Sequence, residues 1–333
     1  MKILLINDLH LTNSNSHPSS CTSSYTDDLF DLLYQINDVA IKNDVSAIVQ
    51  LGDFFHIKAP SRNSHEIVIR AARWARSVRC PVFVVPGNHD LTNDRLESLE
   101  EGQPLGVLFA TGAAIRAQGY LRTRENYSPS NHLPVYSVPW QQFWDAEQSV
   151  ADRAIKDALS DFEPSDTPQL IVTHAPFFPE GSNPAYEHYA TGKFARFVNP
   201  SGKSNVQVCY GHIHDWHGEY VVNGVRFANY GALSRGSLTE SNLTRPVGVT
   251  LWDSVTGTFE FIDLQAKPAE EVFRVKEITE VKNAQVRLDE FLKSVGQSHI
   301  EITSIESVMD KIRSLNLGKE FENIVEELLT SEE

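Results

Sequence analysis

Five short clusters of metal-binding side chains stand out in the 333-residue chain. The first is Asp8-Leu9-His10, the second Gly52-Asp53-Phe54-Phe55-His56, and the third Gly87-Asn88-His89-Asp90. His174 stands alone, and Gly211-His212-Ile213-His214 lies inside the stretch CYGHIHDWHGEY. Taken singly, an Asp or Asn after a strand caps a turn or a helix. Taken together, imidazole, carboxylate and amide oxygen suit borderline-to-hard divalent cations such as manganese, iron or zinc. Two such cations about 3.5–4 Å apart clamp the attacking and leaving oxygens of a phosphate ester and acidify a water. No serine or cysteine nucleophile is then needed. One carboxylate must bridge the pair, and Asp53 is the choice, because a short Gly-Asp turn lets it reach inward. Cys21, Cys80 and Cys209 are not spaced as a thiolate cage or a disulfide framework.

The clusters have a common position. KILLIN (2–7) reads as a buried strand that runs into Asp8. SAIVQL (46–51) runs into Gly52, PVFVVP (81–86) into Gly87, QLIVT into His174, and VQVCY into Gly211. Helices are predicted between them. Leu29, Leu32, Leu33, Ile36, Val39 and Ala40 recur at helical spacing between Tyr25 and Lys42, and further helices cover 64–78 and 145–159. This β-α-β-α rhythm predicts an α/β core, in which sites form beyond the carboxyl ends of the strands. EYVVNGVRFANY is a hairpin signal around Asn223-Gly224. VGVTLWD and FEFIDL form a second antiparallel pair. After Leu264 the chain turns charged and helical, with apolar stripes at 283–295, 303–315 and 319–329.

Composition sets limits. A hydrophobic fraction of 41% and a charged fraction of 22% are those of an ordinary globular protein. No segment reads as a membrane span or a signal peptide, so a reducing cytoplasm is expected. The net charge of -15 argues, as an average, against a nucleic-acid partner, though bound cations offset part of it.

The ordered series D-x-H, G-D-x-x-H, G-N-H-D, H, G-H-x-H resembles the calcineurin-like metallophosphoesterase superfamily over about residues 1–264. The resemblance implies an α/β/β/α sandwich and a hydrolase acting on ester bonds. It implies that Asp8, His10 and His214 hold one metal and Asn88, His174 and His212 the other, with Asp53 bridging. His89 is then the group that contacts the scissile phosphate and protonates the leaving oxygen, and Asp90 orients and polarises His89. His212 and His214 would alternate along an extended segment and face different metals, with His217 no ligand.

Within that superfamily, GDFFH and the NYGALSRGSLTE loop are similar to the SbcD-type nuclease subunits of DNA double-strand-break repair. That similarity implies a two-metal, manganese-dependent DNA exonuclease and endonuclease acting in repair, recombination or replication, with magnesium, iron or zinc as alternative metals. It places His56 at the substrate and makes Arg235 a phosphate contact. Residues 175–205 interleave Phe177, Phe178, Tyr186, Tyr189, Phe194 and Phe197 with Lys193, Arg196 and Lys203, a pattern suited to base stacking and backbone neutralisation. Residues 265–333 are expected to be a short cap remnant followed by a docking segment, 283–329, for an SbcC-like coiled-coil ABC-type ATPase. Arg70, Arg73, Arg76 and Arg79 fall on one side of the second helix, where the resembling nucleases form a homodimer. The alternative reading is a small-molecule or cyclic-nucleotide phosphodiesterase of the same superfamily.

Overall fold

Lys2–Ile6 (β1) is buried on both faces beyond its first residue, as its unbroken apolar run requires. In this computed structural model the described residues are 1–122, 132–140, 148–182, 184, 188–275, 309, 310 and 313. The chain then continues as α1 (Tyr25–Lys42), β2 (Ala47–Gln50), α2 (His65–Ser77), β3 (Val82–Val84), α3 (Pro104–Ala110), β4 (Ile115–Arg116), β5 (Gly119–Arg122) and β6 (His132–Val138). After these come α4 (Gln148–Ala158), β7 (Gln169–His174), α5 (Thr191–Val198), β8 (Val206–Gly211), β9 (Trp216–Val222), β10 (Val225–Tyr230), α6 (Glu240–Thr244), β11 (Gly248–Asp253), β12 (Thr258–Asp263) and α7 (Ala269–Val272).

The strands form two six-stranded mixed sheets, ordered β12-β11-β1-β2-β3-β4 and β5-β6-β7-β8-β10-β9. β1 to β4 run parallel, as do β6, β7, β8 and β10. Alternation along the strands builds the core. Ile3, Leu5, Ala47, Val49 and Phe83 point to one side of the first sheet and meet Val135, Leu170, Val172, Cys209 and Ala228 of the second. The opposite faces are covered by helices. Leu29, Leu33 and Ile36 of α1 are buried, and the Trp74 Nε1 of α2 donates to the Leu33 carbonyl at 2.9 Å, locking the two helices together. Phe194 of α5 packs on Phe227 of β10, with centroids 6.3 Å apart. The layers are helix, sheet, sheet, helix, as expected, and the parallel strands deliver their carboxyl ends to one edge.

Several elements differ from expectation. β4, β5, β6 and α3 carry no strong periodic signal; β4 and β5 are short, and their pairing depends on long-range contacts. The segment 175–205 is no open loop, because it contains α5. Phe177, Tyr189 and Phe194 are buried, and Phe177 contacts the other two as well as Tyr210 and Phe227, so they are core and not a stacking platform. Phe197 remains 40% exposed, and Tyr186 lies outside the described residues.

The chain divides into two compact units, Met1–Phe273 and Arg274–Glu333. The first runs past Leu264 because Phe273 bridges Cys21 and the Thr22 amide donates to the Val272 carbonyl. The predicted helices at 283–295, 303–315 and 319–329 lie outside the described residues apart from Met309, Asp310 and Arg313. Among the described residues no helix is long and apolar enough to cross a membrane.

Candidate metal centre and active site

β1, β2, β3, β7 and β8 each end in a turn that carries one predicted cluster, and the five turns converge. Three of the converging residues have left-handed backbones: His10 (φ 48°), Asp53 (φ 53°) and His212 (φ 77°). Non-glycine residues in this region are uncommon and gather at functional sites. Each is held by neighbours. The His10 amide donates to the Asp53 carbonyl at 2.8 Å, and the His212 amide donates to Asp8 Oδ1 at 2.9 Å. Gly52 (φ 101°) starts the turn that throws Asp53 inward, and Gln50 braces it by accepting from the Gly52 amide at 3.1 Å. Gly87 must lack a side chain, since a Cβ there would collide with the Asp53 amide and carboxylate.

Two donor groups share Asp53. In the first, His10 Nε2 lies 3.0 Å from His214 Nε2 and 3.5 Å from Asp53 Oδ2, and Asp8 Oδ1 lies 3.8 Å from His214 Nε2. In the second, His174 Nε2 lies 3.0 Å from Asn88 Oδ1, 3.3 Å from His212 Nδ1 and 3.3 Å from Asp53 Oδ1. His212 Nδ1 is 3.1 Å from the same Asn88 oxygen. His174 Nδ1 donates to the Leu51 carbonyl at 2.8 Å, which turns Nε2 toward the cluster.

The electrostatics favour a cation. Burial pushes Asp8 up, yet its Oδ2 is a buried acceptor with no partner among the described residues. Burial opposes charge on Asp53 as well, but the surrounding imidazoles, His174 first, hold it well below the usual carboxylate range. Burial resists a proton on His174, and Asp53 overrides it, pushing the ring up to about 9. Burial drives His10 well down and His212 down to about 3, so both are neutral nitrogen donors at neutral pH.

His56 and His89 stand at the mouth. Their rings stack at 5.4 Å, and His56 Nδ1 lies 3.3 Å from His10 Nδ1. His89 Nδ1 donates to the His56 carbonyl at 2.6 Å, and its amide donates to Asp53 Oδ1 at 2.8 Å. His10, His56, His89 and His214 open into a cleft of ≈ 400 Å³. Its far wall is formed by Ser19, Ser20, Tyr25, Ser234, Gly236 and Ser237.

Three placements correct the sequence reading. Asp90 does not orient the His89 ring: its carboxylate accepts the amides of Phe54 (3.2 Å), Phe55 (3.0 Å) and Gly87 (3.0 Å). It ties together the two loops that carry His56 and His89, and burial followed by Asp53 pushes it up to about 7. His212 and His214 do not sit on a strand, because β8 stops at Gly211 and the left-handed turn at His212 sends the two rings to different groups. Arg235 does not line the cleft: its guanidinium donates to the Lys267 carbonyl at 2.5 Å. Lys193 pairs with Asp152 at 2.6 Å, and Arg196 is exposed on α5, so neither joins the cluster. His217 bonds the Tyr210 hydroxyl at 2.7 Å, outside both donor groups.

Sequence reasoning missed Trp140. It is 3% exposed, and its indole stacks on the His212 ring at 4.8 Å and 29°. The one cue was its place just past LPVYSV, where the chain leaves β6 at the same edge as the other clusters.

Residues 1–216 match the calcineurin-like phosphoesterase family. Among curated proteins, the DNA double-strand break repair protein Mre11 of Sulfolobus acidocaldarius is 22% identical over 94% of this chain and 71% of its own length. The Mre11 protein of Saccharolobus solfataricus is 33% identical over 19% of this chain, and that match spans only 16% of the relative. That of Sulfurisphaera tokodaii is 30% identical over 27% of this chain and 22% of the relative. A solved Thermus thermophilus structure aligns over 79% of this chain and 98% of its own, with 14% identity and a TM-score of 0.48.

Proposed function

Because the chain belongs to the calcineurin-like phosphoesterase family, we propose that it is a two-metal, manganese-dependent DNA exonuclease and endonuclease, the catalytic subunit of a nuclease–ATPase complex. The observation that carries the metal-dependent reading is the sharing of Asp53 between two donor groups at the foot of an open cleft. Asp8, His10 and His214 would hold one cation and Asn88, His174 and His212 the other, and the orphaned Asp8 Oδ2 fits a positive charge. When bound, the cations supply Lewis acidity at the phosphoryl oxygens and bring the pKa of a water near neutrality.

The protein's own groups do the rest. His56 fixes the tautomer of His89 through its carbonyl, so that His89 Nδ1 keeps its proton and Nε2 remains to exchange one with the leaving oxygen. The stacked His56 ring confines His89 and shares the phosphate-facing mouth. Asp90 holds both loops at that separation. The serine-rich wall offers hydroxyl donors and acceptors to a phosphodiester strand. Arg196 and Lys193 on α5 are proposed as outlying backbone contacts.

The similarity over 94% of the chain to a protein named for DNA double-strand break repair supports DNA as substrate. The net charge of -15 favours the rival, a small-molecule or cyclic-nucleotide phosphodiesterase. The discriminating assay gives the purified protein and manganese four substrates: labelled linear duplex, labelled single strand, a cyclic nucleotide and a bis-aryl phosphodiester. Cleavage of DNA, lost on chelation and restored best by manganese over magnesium, iron or zinc, is expected. Turnover of the small esters with none of DNA would overturn the nuclease reading.

Residues 283–329 are proposed to dock the coiled-coil base of an SbcC-like ATPase by laying their apolar stripes into a groove. Deleting the chain after residue 282 is expected to abolish co-purification with a co-expressed ATPase of that class while metal-dependent hydrolysis persists. Loss of hydrolysis together with binding would instead make the tail part of the folded enzyme.

A further inference from the structure

A histidine ligand is normally fixed by two bonds, one to the metal and one from its other ring nitrogen to a carbonyl, a carboxylate or water. His174 satisfies that rule through the Leu51 carbonyl. His212 has no protein carbonyl or carboxylate bonded to its other ring nitrogen among the described residues; its Nδ1 faces Asn88 and His174. What holds the ring is Trp140. The indole lies over the imidazole at 4.8 Å and 29°, and meets the edge of His174 at 6.0 Å and 73°. The Trp140 amide donates to the Pro86 carbonyl at 3.0 Å, just before Gly87 and Asn88. One residue thus touches two members of the second donor group and the loop that carries the third. Its Nε1 is buried with no partner among the described residues.

We propose that Trp140 is the positioning residue of the second metal site, its stacked indole doing for His212 what a second hydrogen bond does for His174. Among the described residues no indole or phenyl ring is stacked on the first donor group, whose imidazoles meet edge to edge, and His214 is 42% exposed to the cleft. Loss of Trp140 therefore weakens one cation and spares the other. The inference rests on the assignment of Asn88, His174 and His212 to a second cation.

The test is manganese binding to the chelated full-length chain, followed by calorimetry and by metal content after gel filtration, for wild type, Trp140→Phe and Trp140→Leu. The wild type is expected to bind two ions. Trp140→Leu removes the aromatic face, and should bind the second ion roughly 10–100-fold more weakly, the usual effect of losing a group that orients a ligand, with the first unchanged. Trp140→Phe keeps a ring over His212 and should bind both ions within about threefold of wild type, given that swaps preserving the packing are tolerated best. Two ions bound by folded Trp140→Leu with wild-type affinities would overturn the proposal. If Trp140→Leu does not fold, Trp140→Phe decides, because a folded Phe variant that has lost the second ion rules out stacking as the cause. A wild type that binds a single ion, unaffected by His174→Ala, would instead defeat the two-cation assignment.

Discussion

His89→Ala should lower DNA hydrolysis by about 10²–10⁴-fold, the span of a lost general acid, while both cations stay bound. The geometry separates the two effects. The link between this position and the metal centre is a backbone one, the His89 amide on Asp53 Oδ1 at 2.8 Å, and alanine keeps it. Gly87 and Asp90, which set the loop, are untouched. The imidazole itself faces the cleft beside His56 and His10. The leaving group gives a sharper check. An alkoxide leaving from DNA needs a proton, whereas a nitrophenolate does not, so the variant should lose far less activity on an aryl phosphodiester than on DNA. An equal loss on both would remove His89 from proton transfer. The nitrogens of His10, His56 and His89 also lie close enough to hold a cation. Release of one manganese from His89→Ala, measured by metal content, would assign it to that group instead.

The convergence of the five clusters was legible in the sequence because each follows a strand whose apolar run marks its own end. KILLI, AIVQ and QLIVTH need no tertiary information to be read as buried strands. Parallel connection then sends Asp8, Asp53 and His174 to one edge. What was not legible depends on which loop approaches which. The resemblance implies that Asp90 orients the His89 ring, but the 3-10 turn Asn88–Asp90 points its carboxylate back into the amides of residues 54 and 55. Trp140 reads as an ordinary core aromatic until the His212 turn is placed beneath it. The left-handed positions at His10 and His212 are filled by histidine and not by glycine, so residue type does not announce them. The aromatic run after His174 had the composition of a stacking surface, and burial of Phe177, Tyr189 and Phe194 shows that composition alone does not separate a platform from a core.

Asp53→Asn should cost both cations at once, which sets it apart from a change at any other donor. Asp53 is the residue among those described whose two oxygens face different donor groups, Oδ2 toward His10 at 3.5 Å and Oδ1 toward His174 at 3.3 Å. Asparagine keeps the size and one oxygen, so the fold and the His89 amide contact survive while the charge does not. Removing one partner of a buried charge pair costs about 3–5 kcal/mol, or roughly a hundred- to several-thousand-fold in affinity. Calorimetry should show both manganese sites weakened on that scale, and hydrolysis should be lost at micromolar metal. A variant that still binds one ion as wild type does would deny Asp53 the bridge. The chelated protein offers an independent reading. Burial opposes a proton on His174, and Asp53 raises the ring from 6.5 to about 9. A pKa raised by folding adds stability that is complete below about pH 6.5 and fades as pH climbs through about 9. Chelated wild type should therefore lose thermal stability across that window. Asp53→Asn removes the main source of the shift, and its stability should be flatter over the same range, leaving the smaller contribution of Asp8, whose Oδ1 lies 3.8 Å from His174.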